Sequence, residues 1–201
     1  MLDHIRRSIV LSVICLVFFG FVYMFAGTGV AQLLFKHQAD GSIRANGSTE
    51  IGQPWTSPKW FHGRPDDFGP YAYTKKTKVV GGDDPLQRTG VTHESGATNL
   101  GPRSKVLLAD TKQLVAWWHK EGVTPTPDLV TTSGSGLTAN ITPEDATVQI
   151  PMITRATGVP RATLEQLISR YTHSHELGFL GSSYIIVLTL NQGLRALELS
   201  H

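Results

Sequence analysis

The amino-acid sequence predicts an α+β protein: one N-terminal transmembrane helix followed by a single mixed α/β extracytoplasmic domain. Three observations predict it. Residues Ser8 to Phe35 carry no formal charge, and a bilayer core calls for about 20 apolar residues at 1.5 Å rise per residue. The remainder is polar and punctuated throughout by Gly and Pro. Within it, three stretches repeat apolar residues near the 3.6-residue helical period, while two short runs rich in β-branched residues do not.

The span is justified first. Ile9 to Ala26 supplies most of the required apolar length, and Gly27 to Phe35 prolongs it. Asp3, His4, Arg6 and Arg7 precede it, and the bias of Arg and Lys toward the cytoplasmic side sets the N-terminus inside. This divides the chain into a cytoplasmic N-terminus (1–7), a transmembrane helix with its outer extension (8–35) and an extracytoplasmic α+β domain (36–201). The competing reading is a secretory signal cut after Ala31, since Gly29-Val30-Ala31 offers the small residues a leader peptidase accepts. Signal cores run about 7 to 15 residues, and this stretch is longer, which favours a retained anchor. Gly20, Gly27 and Gly29 are small enough for close helix contact. Gly20 and Gly27 are therefore candidate interface positions, although no GxxxG spacing exists.

A chain of 201 residues with one span leaves length for one ordinary domain. Its 18 Lys and Arg nearly balance 16 Asp and Glu, for a formal net charge of +2. Nucleic-acid binding requires a clustered positive field, so nucleic acid is excluded as a partner. The one cysteine, Cys15, lies inside the span. Neither a disulfide framework nor a thiolate metal site is expected in the domain.

From Asp40 to Gly101 the composition is turn-rich, with Asn46-Gly47 a tight-turn signal. Trp55, Trp60, Phe61, Phe68, Tyr71 and Tyr73 are too many aromatics for a disordered linker, so this segment is expected to lie over a core or a partner. The Lys75-Lys76-Thr77-Lys78 run and Gly81 to Pro85 read as a solvated surface loop.

Ser104 reads as an N-cap, and Leu107, Leu114, Val115 and Trp118 form an apolar face until Gly122. Leu129 to Thr132 reads as a strand, followed by the loop Ser133-Gly134-Ser135-Gly136. Thr142 caps a second helix with Pro143 at its first position and Glu144 and Asp145 in its first turn. Pro151 is expected to bend or break it. Pro160 to Tyr171 predicts a third helix, with Leu164, Leu167, Ile168 and Tyr171 on one face. Tyr184 to Leu190 predicts a buried strand ending before Asn191-Gln192-Gly193.

The candidate sites are few. Ser133 to Gly136 offers glycines that let backbone N–H groups approach an anion. It lacks the lysine of a P-loop and the first glycine of a GxSxG elbow, which favours a structural turn over a phosphate cradle. Trp60-Phe61-His62-Gly63-Arg64-Pro65 packs two aromatics, an imidazole and a guanidinium into six residues. It reads as an interface anchor built on Trp60, Phe61, His62 and Arg64, the alternative being an aromatic loop folded onto its own core with Arg64 on carbonyls. His173 and His175 lack a third ligand at suitable spacing, so no metal site is expected. No catalytic constellation emerges.

In the same order and at compatible spacing, several strings resemble one family. They are Gly47-Ser48, Ile51-Gly52-Gln53, Trp60 to Pro65, Asn99-Leu100-Gly101, Ser133 to Leu137, Gln149-Ile150-Pro151, Leu180-Gly181 and Leu188-Thr189-Leu190-Asn191. Together with a short basic N-terminus and one span, they resemble the C subunit of the bacterial Kdp-type potassium-transporting ATPase.

The resemblance implies a non-catalytic accessory subunit in the bacterial cytoplasmic (inner) membrane. Its implied partners are a P-type ATPase subunit, a potassium-channel-like subunit, a small single-span subunit and the lipid bilayer. Potassium, ATP and Mg are handled by the other subunits, and no cofactor is bound directly. It also implies assembly roles for the WFHGRP string and Asn99, and an influence of Ser133 to Gly136 on ATP affinity. With the domain outside, that influence is indirect, because a bilayer separates the loop from cytoplasmic ATP.

Two departures stand out. Thr138, Ala139, Asn140 and Ile141 replace an Asp-Pro-His-Ile-like string, so no Asp or His role carries over there. Pro70 to Glu94 reads as an insertion. The readings from other classes are a membrane-tethered hydrolase or phosphate-binding protein using Ser133 to Gly136, and a secreted solute-binding protein.

Overall fold

A computed structural model of the chain describes residues 2–44, 47–53, 55, 57–65, 99–175 and 177–199. They fall into two compact units, 1–43 and 44–201. The Asn46 half of the expected turn, Phe68, Tyr71, Tyr73, Lys75 to Lys78, Gly81 to Pro85 and the Pro70–Glu94 insertion lie outside the described residues.

The first unit is a helical rod. α1 (Leu2–Val17), a π-helical turn (Phe18–Val22) and α2 (Tyr23–Leu34) run on without interruption for 33 residues, about 50 Å at 1.5 Å per residue. A short α3 (Lys36–Ala39) follows. At the π turn the Tyr23 N–H donates to the Phe18 carbonyl, five residues back, with Gly20 at the centre of the turn. None of the rod's most apolar 18-residue window is buried. Each such side chain left in water forgoes about 1.5–3 kcal/mol of burial, and the rod is long and apolar enough to cross a membrane.

The second unit is built on α4 (Lys105–Lys120), α5 (Pro143–Thr157), α6 (Arg161–Tyr171) and α7 (Val187–Leu199). At the boundary of the two residue ranges, β1 (Ile43–Arg44) and β2 (Gly47–Ser48) form one two-stranded sheet. β3 (Asn140–Ile141) and β4 (Ile185–Ile186) form another, antiparallel, with Ile141 opposite Ile185. The caps are those the sequence predicts. Ser104 Oγ accepts from the Leu107 N–H at 3.3 Å, and Thr142 and Asp145 form a reciprocal capping box at 3.1 and 2.8 Å. Buried Asp145 also accepts from the Thr126 hydroxyl. Each helix turns one apolar face inward: Leu114 and Trp118 from α4, Ile150 and Ile153 from α5, Leu164 and Ile168 from α6, Leu190 and Leu194 from α7.

Three local expectations are corrected. Leu129 to Thr132 is not a strand. Asp128–Val130 forms a 3-10 turn, fixed when Trp118 Nε1 donates to the Leu129 carbonyl at 3.0 Å and Thr131 Oγ1 donates to the Pro127 carbonyl at 2.8 Å. Pro151 does not break α5. It leaves the Thr147 carbonyl without its helical partner, but Thr147 and Pro151 both lie on the exposed face, where water satisfies that carbonyl. Tyr184 to Leu190 is extended only as far as Ile186. From Val187 the chain is helical, because Val187, Leu190 and Leu194 continue the apolar face at spacings of three and four. Gly193 does not stop the helix. It makes room for Tyr171 of α6, whose Cε2 would lie 2.7 Å from a Cβ at that position.

Candidate functional site

The WFHGRP string crosses the body as a strap held by two side-chain amides. The Phe61 N–H donates to Asn191 Oδ1 at 2.8 Å, and Asn191 Nδ2 donates back to the Phe61 carbonyl at 2.9 Å. The next residue repeats the pattern with the other helix. The His62 N–H donates to Gln149 Oε1 at 2.8 Å, and Gln149 Nε2 donates to the His62 carbonyl at 3.1 Å and to the Asp145 carbonyl at 3.0 Å. Two consecutive backbone pairs are thus satisfied by α7 and α5 where a sheet would use neighbouring strands. Phe61, His62, Gln149 and Asn191 are all buried.

The His62 ring lies edgewise against Trp117 and Trp118, 5.5 Å from each centroid. Burial lowers its pKa to about 4, against a smaller opposing pull from the backbone of Trp55 and Ser57. Neither ring nitrogen has a hydrogen bond of good geometry. His62 is accordingly a neutral, packed imidazole.

Arg64 carries the strap to the Gly-rich loop. Its Nε donates to the Thr131 carbonyl at 3.3 Å, and Nη2 donates to Thr131 Oγ1 at 3.2 Å and to the Thr132 carbonyl at 3.0 Å. Nη1 lies 3.3 Å from Asp128 Oδ1. The guanidinium fork therefore fixes the residues that lead into Ser133.

Ser133 to Gly136 closes on itself. The Gly136 N–H donates to the Ser133 carbonyl at 3.2 Å and to Ser133 Oγ at 3.0 Å, and the Leu137 N–H donates to Ser135 Oγ at 3.2 Å. Gly136 takes φ +68°, which suits a residue without Cβ. Beyond the turn, the Leu137 carbonyl accepts from the Gly52 N–H at 2.7 Å, and Thr138 bridges Ile51. A Cβ on Gly52 would stand 2.6 Å from the Thr138 carbonyl oxygen, so the two segments touch only because position 52 is glycine.

The structure thus joins strings that are far apart in sequence: Ile51-Gly52, Phe61 to Arg64, Ser133 to Leu137, Gln149 and Asn191 form one hydrogen-bonded network. The predicted positions divide around it. Phe61, His62 and Arg64 are its strap, and Ser133, Gly134, Ser135 and Gly136 its turn. Trp60 is half-buried beside Trp55, with ring centroids 5.5 Å apart and Lys59 Nζ 4.8 Å above the Trp60 ring. Asn99 is exposed with φ +53°. Gly20 and Gly27 are in the rod, where a Cβ would meet only Leu16 Cδ1 at 4.0 Å and nothing within 4 Å, respectively.

Gln149 and Asn191 hold the strap in place, and a reading of chemistry-bearing side chains passes over them. Their signal is an amide set on an otherwise apolar helix face. Among the described residues no three His, Cys, Asp or Glu side chains gather in one place. At the departures from the resembled pattern, backbone does the bonding: the Ala139 carbonyl accepts from the Val187 N–H at 3.0 Å.

Among the described residues, one rod long and apolar enough to cross a membrane precedes a folded body knit by structural amides, which is the layout of a membrane-associated subunit. Comparison with known proteins gives the family. The profile described as "K+-transporting ATPase, c chain" (KdpC) matches residues 5–196. A Sorangium cellulosum protein described as "Potassium-transporting ATPase KdpC subunit" is 36% identical over 96% of this chain and 98% of its own length. A Koribacter versatilis protein of the same description is 36% identical over 96% and 95%. A Nostoc protein described as "Potassium-transporting ATPase KdpC subunit 1" is 39% identical over 96% and 94%. This chain belongs to the KdpC family.

Proposed function

We propose that the chain is a non-catalytic accessory subunit of an ATP-driven potassium uptake pump, holding the ATPase and potassium-channel-like subunits together. A small single-span subunit completes the set of partners. The rod crosses the inner membrane with its N-terminus inside, and the body works on the outer side. The observation that carries this reading is the rod's length and composition: 33 residues long and apolar enough to cross a membrane, it presents a surface suited to lipid and neighbouring helices.

The body supports the same reading. The hydroxyls of Ser133 and Ser135 bond within their own turn, and Arg64 is engaged with Thr131, Thr132 and Asp128. These groups maintain shape and do not present a nucleophile, which weakens the hydrolase alternative. ATP and Mg belong to the ATPase subunit. Any influence of Ser133 to Gly136 on nucleotide affinity passes through the state of the complex.

Gly20→Leu tests the reading. The chain itself has room for the larger side chain, since its nearest neighbour at that point is Leu16 Cδ1 at 4.0 Å. Recovery of the other subunits with the affinity-tagged full chain in mild detergent is expected to fall several-fold while helix content is unchanged. Undiminished recovery would count against assembly through the rod.

A further inference from the structure

We propose that the groove between the Trp55–Trp60 pair and α7 seats one anionic phospholipid of the outer leaflet, its phosphate on Arg195 and Lys59 and its upper acyl chain on the two indoles; this rests on the span crossing the membrane with the body outside. Leu188, Gln192, Arg195 and Leu199 follow one another at helical spacings of three and four, so they share one face of α7. The core face of the same helix is taken up by Leu190 and Leu194. Between the outer face and the indoles lies a groove of about 590 Å³, inside the range of about 300–1,000 Å³ typical of ligand sites.

The strap sets the aromatic wall. Phe61 is fastened to Asn191 through both its N–H and its carbonyl, which brings Trp60, the residue before it, alongside α7. The Trp60 N–H donates to the Ser57 carbonyl at 3.0 Å, and the turn returns Trp55 to the Trp60 ring with planes at 59°. Both rings are half-buried. Leu188 is 3% exposed and forms the floor, whereas Leu199 is 82% exposed and forms the lip. Among the described residues neither indole N–H has a hydrogen-bond partner, in contrast to Trp118, whose indole serves the Leu129 carbonyl.

Charge and ring type select the occupant. Arg195 is exposed and, among the described residues, has neither a hydrogen bond nor an ion pair. Lys59 Nζ likewise meets no carboxylate and stands 4.8 Å from the centroid of the Trp60 ring. The one carboxylate of α7, Glu198, does not line the groove. Two uncompensated cations beside an apolar floor call for a ligand with an anionic head and an apolar body. Tryptophan next to Lys or Arg is the combination that settles at headgroup level, the ring against the chain and the indole N–H toward ester or phosphate oxygens. The core of a protein interface is instead depleted of lysine. Lipid is also what the chain brings within reach. From Leu34, the end of the apolar rod, the backbone to Trp55 can extend no further than about 75 Å at about 3.6 Å per residue, so the anchor keeps the groove at a high effective concentration of phospholipid.

The test uses the full chain in phosphatidylcholine nanodiscs doped with increasing phosphatidylglycerol that is brominated near the head of its acyl chains. The rod contains no tryptophan, so quenching reports on the body alone. Indole emission is expected to fall saturably with brominated phosphatidylglycerol, and hardly at all with phosphatidylcholine brominated at the same carbons and used at the same mole fraction. Arg195→Gln should raise the half-quenching mole fraction about fivefold, the worth of one cation at an anionic surface, and adding Lys59→Gln should abolish the preference. Both side chains are exposed, so circular-dichroism melting of the double variant should match the wild type. Equal quenching by the two lipids, quenching by neither, a preference kept in the double variant, or quenching that survives Trp55→Phe with Trp60→Phe would each overturn the proposal. A chain that did not co-elute with the nanodisc would refute the span itself, and the seated lipid with it.

Discussion

Asn191→Leu isolates the strap. Leucine has the same number of heavy atoms and the same branching at Cγ as asparagine and sits well in a helix, so the main perturbation is the loss of the amide. It leaves the Phe61 N–H and carbonyl, now bonded at 2.8 and 2.9 Å, buried without partners. Each orphaned group costs about 1–3 kcal/mol, and better helix propensity returns only about 0.5 kcal/mol. The net expectation is about 1.5–5.5 kcal/mol. Urea unfolding of the full chain in mild detergent, followed by the fluorescence of Trp55, Trp60, Trp117 and Trp118, measures it. The midpoint should fall with the slope unchanged, and thermal unfolding should shift down by about 5–15 °C. Gln149→Leu should cost a similar amount. The two holders act on adjacent residues, so the double variant should cost less than the sum by about 1 kcal/mol or more. A loss below about 1 kcal/mol for Asn191→Leu, or strict additivity, would refute the strap.

Other outcomes follow from the same geometry. His62 has its folded pKa lowered to about 4 from 6.5, so the unfolded chain binds the extra proton between those values. Its contribution is complete above pH 6.5 and is lost as pH falls toward 4, up to about 3 kcal/mol. Stability-against-pH curves should differ by that slope between wild type and His62→Leu, and parallel curves would contradict the neutral imidazole. Arg64→Ala removes charged hydrogen bonds to the Thr131 and Thr132 carbonyls. It should cost about 1.5–3 kcal/mol and weaken potassium uptake at low external potassium while the domain remains folded by circular dichroism. Gly193→Ala places a Cβ 2.7 Å from Tyr171 Cε2. It should destabilise by about 1 kcal/mol, overpacking outweighing the helix gain, as chemical unfolding would show.

Local signals in this sequence are readable and long-range ones are not. Ser104, Thr142 and Pro160 mark helix starts through hydrogen bonds or φ limits that act within four residues, and the structure uses all three. The run Tyr184 to Leu190 misleads because β-branched residues state a local preference, whereas the helical face extends to Leu194 and is decided by packing on α6. The 3-10 turn at Asp128–Val130 likewise depends on a bond from Trp118, eleven residues earlier. The strap is harder still, since its bonds join residues 87 and 130 positions apart. The family strings point at this network without explaining it. Gln149 and Asn191 stand out only once an amide on an apolar face prompts the question of which backbone it serves.

The claim on which the rest depends is that the body stands outside the membrane, joined to the pump through an uncut rod. Ser174 is exposed, and Ser174→Cys in a Cys15→Ser background gives the full chain a single thiol. A membrane-impermeant maleimide added to intact spheroplasts is predicted to label that thiol as fully as it does after lysis, on a chain whose mass retains the N-terminal helix. Labelling that appears only after the membrane is opened, or a mass that begins beyond Ala31, would contradict the account.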